Sequence, residues 1–167
     1  MSGRHTLVLL RHAKSAYPEG VADHERPLAP RGIREAGLAG DWLRTNVSRI
    51  DVVLCSTATR ARQTLERTGV RAAVRYVERL YGATPAVMID EINGVDEDVT
   101  TLLVVGHEPT MSDVATGLAG PDGTDTAALQ RISTKFPTSA IAVLEVAGQW
   151  KDLRLGGAAL VGFHVPR

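Results

Sequence analysis

A single cysteine, Cys55, in a chain of 167 residues excludes an intrachain disulfide and any zinc site built from several thiolates. Following Leu54 in an apolar run, Cys55 reads as a small core residue. Net charge is missing too. Nineteen basic residues balance nineteen acidic ones, giving a formal charge of zero at pH 7. That balance argues against a general nucleic-acid binder and against a protein held on an acidic membrane. Any cationic site has to be local. Lysine is scarce, three residues against sixteen arginines, so one arginine taken alone carries little functional weight. No apolar run is long enough to span a bilayer, and the N-terminal one, Leu7 to Leu10, is too short for the core of a signal peptide. A cytoplasmic protein is the resulting expectation.

Several sequence patterns are also absent: the G-x-x-x-x-G-K-S/T phosphate loop, the G-x-G-x-x-G dinucleotide loop, the G-x-S-x-G nucleophile elbow and the H-E-x-x-H zinc helix. "HEPTM", beginning at His107, has only the first histidine of that last pattern. The five histidines are otherwise scattered, so no metal site and no cofactor is expected. A phosphate site, if present, must be made by side chains. There is no internal repeat, linker or low-complexity tract, and Asn46-Val-Ser48 matches a glycosylation acceptor by chance in a chain read as cytoplasmic.

What is present is an ordinary globular composition, 44% hydrophobic and 23% charged, over a length that suits one domain spanning residues 1–167. Strand-length apolar runs alternate with helical segments. The expected fold class is α/β, a three-layer sandwich with a mainly parallel sheet of about five to six strands and helices on both faces. The first strand falls near residues 6–11. A polar loop follows, and Pro30 in the first turn opens a helix running to about Asn46. Ile33, Ala36, Ala39 and Leu43 recur at spacings that can face the sheet. "DVVLCST" predicts a second strand, with Ser56 or Thr57 capping a helix over about 58–69. "AAVRYVERL" alternates like a third strand and precedes a short helix over 84–94. "TTLLVVGH" is a continuous apolar run suited to a central strand buried on both sides, and "TMSD" starts a helix ending near Gly120. Residues 120–126 read as a loop, and "SAIAVLEV" and "AALVGFHV" as two strands paired around a turn near Gly148.

Arg11 and His12 follow the first strand, Arg60 the second, and His107 the central apolar run. The C-terminal ends of parallel strands lie along one edge of the sheet, where helix N-termini also gather, so the four residues can converge. Two arginines and two histidines there make an anion site, with phosphate the anion of best fit. Strict alternation would send Arg11 and His12 to opposite faces, so the pleat is expected to stop at about Leu10. Buried among cations, the histidines would have depressed pKa values, and a neutral imidazole has a free lone pair suited to nucleophilic catalysis. His5, His24 and His164 have no comparable placement and read as solvent-facing or hydrogen-bonded residues.

"LLRHAKS", "STATRARQT" and "VVGHEPTMS" resemble, in this order and spacing, the signature segments of the histidine phosphatase superfamily. With "RPLAPRG" they look most like its small SixA-type phosphohistidine phosphatase branch. The matching segments run from Leu9 to Ser112, about two thirds of the chain. The resemblance implies that His12 is the phosphoryl acceptor and that Arg11, Arg60 and His107 bind the phosphoryl oxygens. It also implies a metal-independent phosphatase passing through a phosphohistidine enzyme. Ala13 and Ser15 stand where the wider family usually has Gly and Thr, and Ala29 replaces a common Thr. These departures weaken assignment to mutases or sugar-phosphatases. The short stretch between Tyr81 and His107 leaves little room for a substrate-covering insertion, which implies a site open to a phosphorylated protein loop.

The general acid is the least determined role. Glu78, in "ERLYGA", resembles the acidic position of the wider family, whereas Glu108 adjoins His107 and equally suits stabilisation of a helix N-terminus. Lys14, Ser15 and Arg26 are candidate substrate-binding residues at the rim. Trp42 reads as core, and Trp150 is uninformative. The favoured partner is a protein carrying phosphohistidine. A small-molecule phosphomonoesterase with the same mechanism and a non-catalytic phosphate-binding module remain as alternatives.

Overall fold

The computed structural model describes residues 4–167. Its centre is a six-stranded sheet in the order β3-β2-β4-β1-β5-β6, where β1 is His5–Arg11, β2 Val52–Ser56, β3 Ala73–Val77, β4 Thr101–Gly106, β5 Ile141–Val146 and β6 Ala158–His164. β1 through β4 run parallel to one another; beyond β1 the sheet is extended by β5, antiparallel to β1, and by β6, antiparallel to β5.

Helices cover both faces, as the α/β reading expects. α1 (Pro30–Asn46) and α2 (Thr59–Thr68) lie on one face, and α3 (Pro85–Asn93), α4 (Thr110–Leu118) and α5 (Thr126–Thr134) on the other. The period-two geometry of a strand divides the core between them. In β1, Leu7 and Leu9 pack with Met88, Ile92, Met111 and Leu118, whereas Val8 and Leu10 pack with Ala39, Leu43, Ala61 and Leu65. β4 alternates in the same way through Leu102 and Val104 against Leu103 and Val105. Apolar residues on both faces are what a central strand requires, and this explains why "TLLVVG" shows no alternation in sequence.

Four local readings change. Ile33 is 37% exposed on α1, so only Ala36, Ala39 and Leu43 of the expected stripe are buried. Strand pairing continues one residue beyond Leu10: Arg11 is still in register with Gly106. The N-cap of α2 is Ala58, with no side-chain cap, although Ser56 Oγ accepts from the Ala58 N–H at 3.2 Å. Finally, α5 begins at the end of the 120–126 loop and occupies a stretch for which the sequence predicted no element. It buries only Ala128 and Ile132, too few for a clear period, but Asp125 marks its start by accepting from the Ala127 and Ala128 N–H groups.

β5 and β6 do pair, but their connection is longer than a hairpin turn. It contains a single 3-10 turn, Trp150–Asp152, whose Trp150 is fully buried and donates to the Val99 carbonyl at 2.8 Å. His5 is buried by stacking on Trp150, with its two nitrogens on the Gly148 and Glu97 carbonyls. Trp42 is half-buried and stacks on His164. Cys55 is buried in β2, which pushes its thiol pKa up to about 12. No helix among the described residues is long and apolar enough to cross a membrane.

Candidate active site

β2, β4 and β1 are neighbours and parallel, so their C-terminal ends are adjacent. β1 delivers Arg11 and His12, β2 leads through Ala58 into Arg60 on the first turn of α2, and β4 delivers His107. All four line one cavity of about 240 Å³, together with Lys14, Ser15, Tyr17, Arg26, Glu108 and Thr138.

His12 is 8% exposed and sits with its ring centroid 5.1 Å from that of His107. Its Nδ1 lies 2.7 Å from the Ala13 carbonyl oxygen. A carbonyl only accepts, so Nδ1 carries the proton and Nε2 of the neutral ring holds a lone pair. Burial, then the charges of His107, Arg60 and Arg11, bring the His12 pKa down to about 3. The ring is held from behind as well. Ala13 N–H donates to Thr64 Oγ1 at 2.9 Å, and that hydroxyl donates to the Arg60 carbonyl at 2.7 Å. Ser139, at a φ of 67°, donates its N–H to the Arg11 and His12 carbonyls.

His107 shows the complementary arrangement. Its Nε2 is 2.8 Å from Ser56 Oγ, and its buried Nδ1 has no protein partner. Ser56 Oγ, which accepts from the Ala58 N–H, can donate its own proton to Nε2; in that tautomer the proton of the neutral His107 ring is on Nδ1. Burial, followed by the Arg60 charge, lowers the His107 pKa to about 4.

The arginines are fixed by backbone and loop contacts. Arg11 donates to the Phe136 carbonyl at 2.9 Å, and its buried Nε is left without a partner. Arg60, 6% exposed, donates to the Asp23 carbonyl at 2.7 Å and to the Asp23 carboxylate at 3.1 Å; its Nε is likewise unpartnered. Asp23 also accepts from Tyr81 Oη and from Arg26 Nε. The Tyr81 bond, then those from Arg26 and Arg60, holds the Asp23 carboxyl well below the usual carboxylate range. Tyr81 stands beside the site, its ring 5.6 Å from that of His107.

At the rim, Arg26 donates to Ser15 Oγ at 2.7 Å and stacks 4.1 Å above the Tyr17 ring. Lys14 Nζ approaches the same ring at 5.7 Å. Glu78 is placed differently: it lies exposed on a 3-10 turn, Glu78–Leu80, and does not line the cavity. Glu108 does line it, but its two carboxylate oxygens accept from the Ser112 N–H and Oγ at 2.6 and 2.7 Å, which caps α4. Asp23, Tyr17, Tyr81 and Thr138 escaped sequence reading because they come from loops whose paths no periodicity reveals; the Asp23 to Pro27 run beside "RPL" was the one available signal. Among the described residues no group of three or more His, Cys, Asp or Glu is placed to hold a metal ion.

Comparison with known proteins gives one direction. Residues 7–81 match the model of the histidine phosphatase superfamily, branch 1. An uncharacterised protein of Mycobacterium tuberculosis is 70% identical over 158 residues, covering 95% of this chain and 100% of the relative. Phosphohistidine phosphatase SixA of Escherichia coli is 30% identical over 109 residues, 62% of this chain and 67% of that protein. A solved structure from Nakamurella multipartitia, described as a candidate phosphohistidine phosphatase SixA, is 41% identical and superposes with a TM-score of 0.89 over 98% of this chain and 97% of that one.

Proposed function

From the premise that this chain belongs to the histidine phosphatase superfamily, in its SixA-type branch, and is a phosphatase acting on a phosphorylated substrate, we propose that it hydrolyses protein phosphohistidine without a metal ion, through His12. The observation that carries this reading is the Ala13 carbonyl on His12 Nδ1, which leaves Nε2 as a lone-pair nitrogen in a cavity edged by Arg11, Arg60 and His107.

In the first step His12 Nε2 attacks phosphorus, the bond from phosphorus to the substrate imidazole breaks, and the electron pair leaves on that nitrogen; with a proton already on its other ring nitrogen, the group departs as neutral imidazole. Water then attacks the enzyme's phosphohistidine, the P–Nε2 bond breaks, phosphate departs and a proton passes to solvent. During both steps charge accumulates on the equatorial phosphoryl oxygens. Arg11, Arg60 and the Nδ1–H of His107 are donors fixed in advance for that charge. They supply the electrostatic stabilisation that a metal ion provides in other phosphatases, which supports metal independence.

The acid requirement favours the same substrate. Imidazole leaves readily because its conjugate acid has a pKa of about 6.5, whereas that of water is about 15.7. Glu78 stands outside the cavity and Glu108 is engaged in capping α4, so neither is poised to protonate an alkoxide. Lys14, Ser15 and Arg26 bind the substrate at the rim in this reading.

The test is phosphate release from a phosphohistidine protein and from a phosphoserine peptide, in the presence of a chelator, by wild type and His12→Ala. The proposal expects rapid, His12-dependent release from the first substrate only. Comparable release from the phosphoserine peptide would point to a general phosphomonoesterase instead.

A further inference from the structure

A second cavity, of about 350 Å³, adjoins the catalytic one and shares Arg11, Lys14 and Thr138 with it. Every charged residue lining it is cationic: Arg11, Lys14, Arg31, Lys135 and Arg167. In a chain of zero net charge this is a pronounced local imbalance. One carboxylate answers it from below. Glu35, 3% exposed, binds Arg31 at 3.2 Å and Arg167 at 3.0 Å, which orients both guanidinium groups but neutralises only one charge. Lys14 and Lys135 pair with no acidic side chain among the described residues. The cost of holding like charges together is mutual repulsion, which an incoming anion relieves.

We propose that this second cavity is a cationic, anion-binding subsite that receives acidic side chains flanking the phosphohistidine of a protein substrate. The inference rests on the phosphohistidine reading and deepens it by specifying what surrounds the scissile group. Pro137 is the single apolar side chain of the lining, so the cavity lacks the apolar wall by which pockets for small organic ligands hold them. Several separated cations instead suit several carboxylates on one chain. Continuity through Arg11 and Lys14 lets a segment whose phosphoryl group lies against His12 carry its neighbouring residues over Lys135.

Lys135 is the residue to change. Its exposed side chain makes no hydrogen bond or ion pair in the structure and does not line the catalytic cavity, so Lys135→Ser and Lys135→Glu should leave fold and chemistry intact. Two phosphohistidine peptides are compared, identical except that aspartates flank the phosphohistidine in one and serines in the other. Wild type should hydrolyse the acidic peptide with about tenfold higher kcat/KM, through KM, and the advantage should shrink as salt rises from 50 to about 300 mM. Lys135→Ser should reduce the advantage and Lys135→Glu abolish it, while the serine-flanked peptide is cleaved at the wild-type rate by all three proteins. Equal kcat/KM for the two peptides in wild type, or an advantage unchanged in Lys135→Glu, would overturn the subsite. Release from neither peptide would instead remove the phosphohistidine reading; the subsite is then decided by anisotropy of a fluorescent aspartate-rich peptide without phosphate. Tighter binding to wild type than to Lys135→Glu would support it, and equal binding would overturn it.

Discussion

Arg60 grips Asp23 twice, donating to its backbone carbonyl at 2.7 Å and to its carboxylate at 3.1 Å, although the two residues are 37 positions apart. The long loop between β1 and α1 is thereby fastened to the start of α2, and the guanidinium is aimed before substrate arrives. Removing a preorganised donor of this kind costs about 3–4 kcal/mol of transition-state stabilisation. Arg60→Ala should therefore lower kcat on phosphohistidine by about two to three orders of magnitude. Asp23→Asn keeps the carbonyl contact and should cost only about tenfold, of the order expected for weakening one charged hydrogen bond. Steady-state kinetics of the two variants, with circular dichroism to verify folding, checks both.

The histidines make a pH prediction whose sign is fixed. His12 and His107 have folded pKa values of about 3 and about 4, below the ordinary value of 6.5. Between these limits the unfolded chain binds protons that the folded protein does not, so stability is fully present above about pH 6.5 and declines as pH falls towards 3. Denaturant midpoints should drop between pH 7.5 and pH 5, and the ring resonances of His12 and His107 should show neutral imidazole at pH 5.5. Imidazolium shifts for either ring at that pH would contradict the assignment.

Glu78 supplies a test of the leaving-group argument. It is exposed on its 3-10 turn and does not line the cavity. Glu78→Gln should change kcat on phosphohistidine by less than about threefold, whereas loss of a working general acid costs roughly a hundredfold or more. A hundredfold loss would restore Glu78 as the acid.

Close backbone approach behind the site explains Gly32. A Cβ added there would lie 2.1 Å from the Lys14 carbonyl oxygen, the same oxygen that accepts from the Ala29 N–H. Since the obstacle is backbone, the helix or the catalytic loop must shift. Gly32→Ala should destabilise the protein by about 1–3 kcal/mol, the usual range for overpacking, and lower the melting temperature by roughly 2–4 °C per kcal/mol. Calorimetry decides it, with an unchanged melting temperature as the contrary result.

How much of this was legible in the sequence follows from what each residue depends on. Arg11, His12, Arg60 and His107 sit at or just past the ends of strands marked by apolar runs, and parallel strands must align those ends, so topology alone brings them together. Asp23 and Tyr81 depend on how two irregular segments fold back over the sheet edge, which no hydrophobic period encodes. α5 hides for another reason: with Ala128 and Ile132 as its buried residues, its apolar stripe is too sparse to stand out, and Asp125 at its cap is the clearest sign. The basic cavity was equally unreadable, because Arg31, Lys135 and Arg167 come from distant parts of a chain in which arginine is common.

The most direct test of the central claim is to find where the phosphoryl group goes. Enzyme mixed with a radiolabelled phosphohistidine protein should be quenched in alkali within milliseconds, digested and mapped. The account predicts acid-labile, alkali-stable label on the peptide containing His12 and none in His12→Ala. Label on another residue, or full turnover by His12→Ala, would contradict it.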